Sequence, residues 1–314
     1  MSILSQHPLV QSTVINILAS QLSPDRGDVA LAGRAVGEND ISSDSLYESG
    51  KVAFVFQEDA LFEKKTVDEH IEFYSTIRGL NWEHEETQKH LNAIIKLLSL
   101  EKHRSKASSE LSGGYKRRLC LALSMVGYPD ALVLDEPTTG LDPSARRLVW
   151  DVLKPKRNGF DVPAILMSSH NMEECQQGTR IGIMINGEMV TTGSFHRLKD
   201  LYCNALFVEI ALSPDIITDC GESEEAMLDA FAGIDMKAEI YESLPYRFKL
   251  RVALRDTDEA STTMQLAEAF RLLEDRKTSV GIHFYSISPM SLEQIFINLS
   301  RKQFEADEED LLSD

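Results

Sequence analysis

Residues 131–142 read Ala-Leu-Val-Leu-Asp-Glu-Pro-Thr-Thr-Gly-Leu-Asp. Four apolar residues run straight into two carboxylates. A short apolar run of this kind reads as a strand buried on both faces, as in a parallel sheet. Asp135 and Glu136 then emerge at the carboxyl end of that strand, where open α/β sheets bind their ligands. Asp135 offers a hard oxygen to a Mg²⁺ ion, and Glu136 an oxygen to orient and polarise an attacking water. Alone, the pair is read equally well as a strand that happens to end in acids.

Upstream, Leu111-Ser112-Gly113-Gly114-Tyr115 opens a helical stretch. Glycines let the backbone approach a ligand closely, and helix N-terminal N–H groups attract phosphate. By itself this is a plain Ser/Gly turn with a cap. Gln57 follows the apolar run Val52–Phe56, and His170 follows Ile165-Leu166-Met167-Ser168-Ser169. An amide at a strand end reaches Mg²⁺ or water, and an imidazole reaches a terminal phosphate. Each of these residues alone is ordinary.

The surroundings bound the answer. A length of 314 residues suits about two domains. No apolar stretch approaches the roughly 20 residues of a membrane helix, and no signal peptide is read at the start. Cys120, Cys175, Cys203 and Cys220 are scattered, which suits reduced thiols rather than zinc. A net charge of −18 argues against broad nucleic-acid binding. Residues 1–202 alternate strand-like and helical runs, the pattern of an α/β domain with a largely parallel sheet. Residues 203–303 read β-α-β-β-α-β plus a final helix, the order of a small ferredoxin-like α+β domain. That helix is read from Pro289, with Ser288 as its N-cap. Residues 304–314 are mostly acidic and are expected to be disordered. Asp307 with Leu311-Leu312 also fits an acidic dileucine sorting signal, although a solvated acidic terminus is the plainer reading.

Gln57, the Ser112-Gly113-Gly114 turn, Asp135-Glu136, Gly140-Leu141-Asp142 and His170 stand together in the order and approximate spacing of an ATP-binding cassette. The chain resembles the P-loop ATPase domain of ABC transporters, a parallel-sheet core with a helical subdomain. Within that superfamily it is most similar to the lipid-exporting A subfamily, through Gly113–Leu119, Glu136–Pro143, Ser169–Cys175 and Ile185-Asn186-Gly187. Phe270–Leu273, Tyr285–Ser288 and Leu292–Phe296 resemble the regulatory domain that follows the cassette there.

The resemblance implies ATP and Mg²⁺ as cofactors. It implies nucleotide contacts from Ser12, Thr13, Gln57, Ser112, Gly113, Gly114 and Asp142, and metal contacts from Ser12, Gln57 and Asp135. Glu136 and His170 take the catalytic roles. It further implies a second cassette bound head-to-tail, membrane-spanning domains on other polypeptide, a lipid as cargo, and a place at the cytoplasmic face of a membrane. Tyr115 stands where the wider superfamily commonly has glutamine.

One part departs from the pattern. A phosphate loop reads G-x-x-x-x-G-K-[ST]. Here Ser5 falls at the first glycine, Val10 at the second and Gln11 at the lysine, with Ser12 kept at the Mg²⁺ position. Pro8 has no N–H to offer a phosphate, Val10 resists glycine-like backbone, and Gln11 carries no charge. Losing two or three charge-assisted bonds costs roughly 3–9 kcal/mol, on the order of 10²- to 10⁶-fold in affinity. The family also has two strands and an adenine-stacking aromatic ahead of the loop, and the match is poor before Ser12. The expectation is an N-terminally truncated chain. The alternative is one half of an asymmetric pair that lends its Ser112–Gly114 turn to a partner's ATP.

Overall fold

The computed structural model describes residues 1–5, 8–31, 34–36, 51–154, 163–202, 205–213, 220–255 and 259–313. The chain divides into two compact units, Met1–Thr191 and Thr192–Asp314. Gln6 and His7, part of the expected phosphate loop, lie outside the described residues, as does Cys203.

In the first unit, β1 (Ser2–Ser5) leads to α1 (Pro8–Leu18), followed by β2 (Val29–Leu31), β3 (Arg34–Val36) and β4 (Val52–Val55). A helical segment follows, with α2 (Val67–Ile77), α3 (Glu85–Leu97), two single 3₁₀ turns and α4 (Gly113–Met125). Then come β5 (Ala131–Leu134), α5 (Pro143–Leu153), β6 (Ala164–Ser168), α6 (Met172–Cys175), β7 (Ile181–Ile185) and β8 (Glu188–Gly193). The main sheet has the order β4-β5-β6-β1-β7-β8. All pairings from β4 through β7 are parallel. β1 therefore sits inside the sheet, with Ser2 opposite both Met167 and Ile181, and its four residues are buried. β2 and β3 form a separate antiparallel pair.

The parallel order explains the composition of the strands. With helices on the sheet faces, β5 reads Ala-Leu-Val-Leu with no polar alternation, and Leu132–Leu134 are at most 1% exposed. The turn Asn186-Gly187 between β7 and β8 has φ of 49° and 88°, the left-handed pair that a tight hairpin needs. The core of the helical segment is built by Ile71, Ile94, Ile95, Leu119 and Leu123 against the flank of β4 and β5. α2 enters through a reciprocal cap: Glu69 N–H donates to Thr66 Oγ1 at 3.2 Å, and Thr66 N–H donates to Glu69 Oε2 at 2.7 Å.

The second unit begins with α7 (Phe195–Tyr202), then β9 (Ala205–Leu212), α8 (Cys220–Gly233), β10 (Ala238–Leu244), β11 (Arg247–Ala253), α9 (Glu259–Val280), β12 (Ile282–Pro289) and α10 (Leu292–Ser313). Its sheet has the order β10-β11-β9-β12, antiparallel throughout, which is the ferredoxin-like arrangement. Leu206, Val208 and Ile210 alternate onto one face, where Phe231 of α8 and Leu273 of α9 cover them.

Three expectations shift. The change of unit falls at residue 191 rather than 202, because α7 packs against α10. The last helix starts at Leu292, not Pro289. Ser288 and Pro289 are held in β12 by pairing with Phe207 and Leu206, and Ser291 makes the reciprocal cap with Gln294 instead. The acidic stretch expected to be disordered continues α10 to Ser313. Its Ala, Glu and Leu are good helix formers, and no Gly or Pro interrupts them. Among the described residues, no helix is long and apolar enough to cross a membrane.

His70 in α2 is buried and neutral. Its Nε2 accepts from Phe62 N–H at 3.0 Å, so Nδ1–H donates to Thr66 O at 2.7 Å. Burial holds its pKa below the usual histidine value. As pH falls below about 6.5, the unfolded chain takes up this proton before the folded one. Stability from this residue is therefore full above that pH and is lost as pH falls through the lowered folded value. Urea denaturation is expected to show a midpoint that drops between pH 7.5 and 5.5, and His70→Gln should flatten that drop while lowering stability at pH 7.5.

Candidate functional site

The parallel strands β4, β5, β6 and β1 end on one side of the sheet, and five of the expected site residues follow directly from those ends. Asp135 and Glu136 follow β5, Gln57 lies two residues past β4, His170 two past β6, and Ser12 lies on α1, which follows β1.

Hydrogen bonds and one close carboxylate–imidazole approach join four of them into one group. Ser12 Oγ donates to Asp135 Oδ2 at 3.1 Å. Ser168, the last residue of β6, donates its hydroxyl to Asp135 Oδ1 at 2.6 Å and accepts from Glu136 N–H at 2.9 Å. Glu136 Oε2 accepts from Thr139 Oγ1 at 2.9 Å, and Glu136 Oε1 lies 3.2 Å from His170 Nδ1. The two carboxylates are 6% and 7% exposed, whereas the His170 side chain is 63% exposed. A buried acid pair is thus held by hydroxyls, with an accessible imidazole at its rim.

Arg117 of α4 supplies the largest set of bonds. It is 5% exposed. Its Nη2 donates to Asp135 O at 2.5 Å and Glu136 O at 3.0 Å, and its Nε donates to Pro137 O at 3.2 Å. Its Nη1 donates to Phe56 O, to Gln57 O at 3.4 Å and to Asp59 Oδ1 at 3.3 Å. Parallel strand ends leave carbonyls without sheet partners, and such groups must be satisfied when buried. One planar guanidinium does this for two strand ends at once. Asp59 also faces Cys120, whose thiol is pushed up to about 12 by burial and then by that carboxylate.

The remaining expected residues stand apart. Ser112 is the N-cap residue of α4, yet its hydroxyl makes no capping bond, and Ser112 and Gly113 are exposed. A Cβ on Gly113 would meet nothing within 4 Å, while one on Gly114 would lie 3.6 Å from Leu141. Asp142 caps α5, accepting from Ser144 N–H at 2.9 Å, Ser144 Oγ at 2.6 Å and Ala145 N–H at 3.0 Å. The Ser144 hydroxyl is the main cause holding its carboxyl below the usual range. Among the described residues, no hydrogen bond ties Ser112–Gly114 or Asp142 to the Asp135–Glu136 group. Thr13 and the Gln57 side chain are exposed.

Set against the cofactors the pattern implies, the Ser12 hydroxyl and the Asp135 carboxylate present paired hard oxygens, the donor type Mg²⁺ takes. At the lysine position, Gln11 is 2% exposed, and among the described residues its Nε2 has no hydrogen-bond partner. The metal side of the site fits. The phosphate side keeps one buried neutral donor in place of a charge.

Comparison with known proteins agrees with this geometry. Residues 11–139 match the family model described as ABC transporter. The chain carries an ATP-binding cassette of the ABC transporter family. It is similar to human ATP-binding cassette sub-family A member 13, at 32% identity over 93% of this chain and 6% of that protein. It is 31% identical to the bovine retinal-specific phospholipid-transporting ATPase ABCA4, over 94% of this chain and 12% of that one. Against the human cholesterol transporter ABCA5 the identity is 30%, over 95% of this chain and 17% of the relative. The chain thus spans less than a fifth of the length of these relatives. Among solved structures, it resembles the dimeric bacterial ABC transporter cassette MJ0796 with a TM-score of 0.54 and 25% identity, over 62% of this chain and 84% of that one. The same cassette has also been solved in a post-hydrolysis state bound to ADP and Pi.

Arg117, Ser168 and Thr139 have structural roles that the motifs did not reveal. Lys116, Arg117 and Arg118 each have a small or apolar residue four positions on, so periodicity does not tell which one turns inward. Ser168 reads as the tail of an apolar run. Ser168→Ala leaves the Glu136 N–H and Asp135 Oδ1 without that shared hydroxyl in a buried place. It is expected to destabilise the fold by roughly 2–4 kcal/mol, read as a lower urea midpoint at unchanged slope.

Proposed function

We propose that this chain is the nucleotide-binding and regulatory part of an ABCA-like lipid exporter. It pairs head-to-tail with a second cassette and sits beneath membrane-spanning domains at the cytoplasmic face of a membrane. The observation that carries the reading is the bonded group of Ser12, Asp135, Ser168, Glu136 and His170 at the strand ends. The lipid cargo is inferred from relatives named as phospholipid and cholesterol transporters.

Bound Mg-ATP would supply the phosphoryl group whose transfer to water drives transport. Ser12 and Asp135 would hold the metal, with Gln57 and Thr13 beside it. Glu136 would orient the attacking water and take its proton on the carboxylate that Thr139 and His170 flank. His170 would contact the terminal phosphate from the open side. Ser112 and Gly113, which are exposed, and the half-buried Gly114 would meet the nucleotide held by the partner, with Asp142 near the pair's seam.

A second reading has its own support. Gln11 at the lysine position is neutral, which favours a cassette that lends its Ser112–Gly114 turn to a partner's ATP and holds its own nucleotide weakly. Fluorescent-ATP titration with Mg²⁺, with and without a competent partner cassette, tests both. Gln11→Lys is expected to tighten binding by about tenfold or more. Binding absent in parent and variant alike, even with the partner present, would count against both readings. In the pair, Glu136→Gln should keep binding and abolish this chain's share of phosphate release. Phosphate release unchanged by Glu136→Gln would leave the lending role.

A further inference from the structure

The corner that carries the two acids has a conformation its sequence opposes. Glu136 has φ of 45°, in the left-handed region where a side chain crowds the backbone. Pro137 follows it, and the residue before a proline is biased toward extended backbone. Extended backbone would point successive carbonyls to opposite sides. Here the carbonyls of Asp135, Glu136 and Pro137 instead all accept from one guanidinium. In that conformation Glu136 N–H reaches Ser168 Oγ, and its carboxylate reaches Thr139 and His170.

We propose that Arg117 is a positioning residue. Its three-carbonyl grip holds Glu136 in the left-handed conformation and so faces the Glu136 carboxylate toward His170. The other edge of the same guanidinium grips Phe56, Gln57 and Asp59. Arg117 lies one helical turn beyond Gly113, so the strand ends bearing Gln57 and Glu136 are tied to the helix that presents the Ser112–Gly114 turn. Lysine keeps the charge but, as a compact ammonium, cannot span these carbonyls with a planar fork. That Glu136 acts on water rests on the function proposed above. Its positioning by Arg117 does not.

The test uses the whole chain without nucleotide. The ¹³Cα and ¹³Cβ shifts of Glu136 are compared in the parent and in Arg117→Lys. Left-handed values are expected in the parent. In the variant they should move toward extended values, with Thr139 and His170 shifting alongside and resonances of Thr192–Asp314 staying put. A folding cycle adds a second arm. Glycine adopts positive φ freely, so Arg117→Lys should cost roughly fivefold less in the folding equilibrium on a Glu136→Gly background. If Arg117→Lys alone fails to fold, the double variant should recover folding. Unchanged Glu136 shifts in folded Arg117→Lys overturn the proposal. So does an equal cost in both backgrounds, or a double variant that fails as the single one does. In those cases Arg117 only neutralises Asp59 and satisfies carbonyls. A chain that binds no nucleotide beside a competent partner would tell against the proposed function while leaving the proposal intact.

Discussion

Parallel strands that stop on the same side of a sheet face a common problem. Their last carbonyls point onward with no sheet partner, in a region too crowded for water to serve every one of them. In this chain the solution is a buried arginine. Arg117 bonds the chain past β4 and past β5, so that the two segments bearing Gln57 and Asp135-Glu136 share one cation. Without that guanidinium the acids would sit on frayed strand ends. With it, each has a fixed neighbour: a hydroxyl on either side of Asp135, and a hydroxyl and an imidazole on Glu136.

That rigidity throws the region of Gln11 into relief. Ser12 sits against Asp135, a hydroxyl–carboxylate pair of the donor type Mg²⁺ takes, while its chain neighbour offers a neutral amide. In the proposed site, the metal half and the phosphate half therefore differ in quality. A hydroxyl–carboxylate pair needs only the correct spacing of two strands and a helix. A phosphate grip needs positive charge and N–H groups delivered by specific residues, and substitution removes these one at a time. The outward-facing Ser112–Gly113 turn depends on none of this, because its backbone is formed by the entry into α4.

The second unit shows how far an alternating pattern carries. Leu206, Val208 and Ile210 alternate along the sequence as a strand requires, and β9 spans Ala205–Leu212. The order of elements gives the ferredoxin-like sheet, with β9 at its interior. The start of α10 was less legible. Two serines, Ser288 and Ser291, both precede acceptable first turns. Strand pairing of Ser288 with Phe207 decided between them, a contact 81 positions away in sequence. The acidic end is helical for a related reason: charge argues for solvation, but solvation does not prevent a helix already nucleated by α10 from continuing.

By itself, the sequence determined the class of fold and the place of Asp135 and Glu136 at the end of a buried strand, since these rest on local runs and short spacings. Apolar strands must be buried, and carboxylates that follow them must emerge at strand ends. Only the tertiary structure decided which groups hold those acids. Arg117 is one of three consecutive basic residues, and Ser168 is one of two consecutive serines. Selection within each set depends on how β5, β6 and α4 meet in space. The bonds concerned span 18 to 61 positions of chain, a range over which neighbouring residues carry no record of their partners.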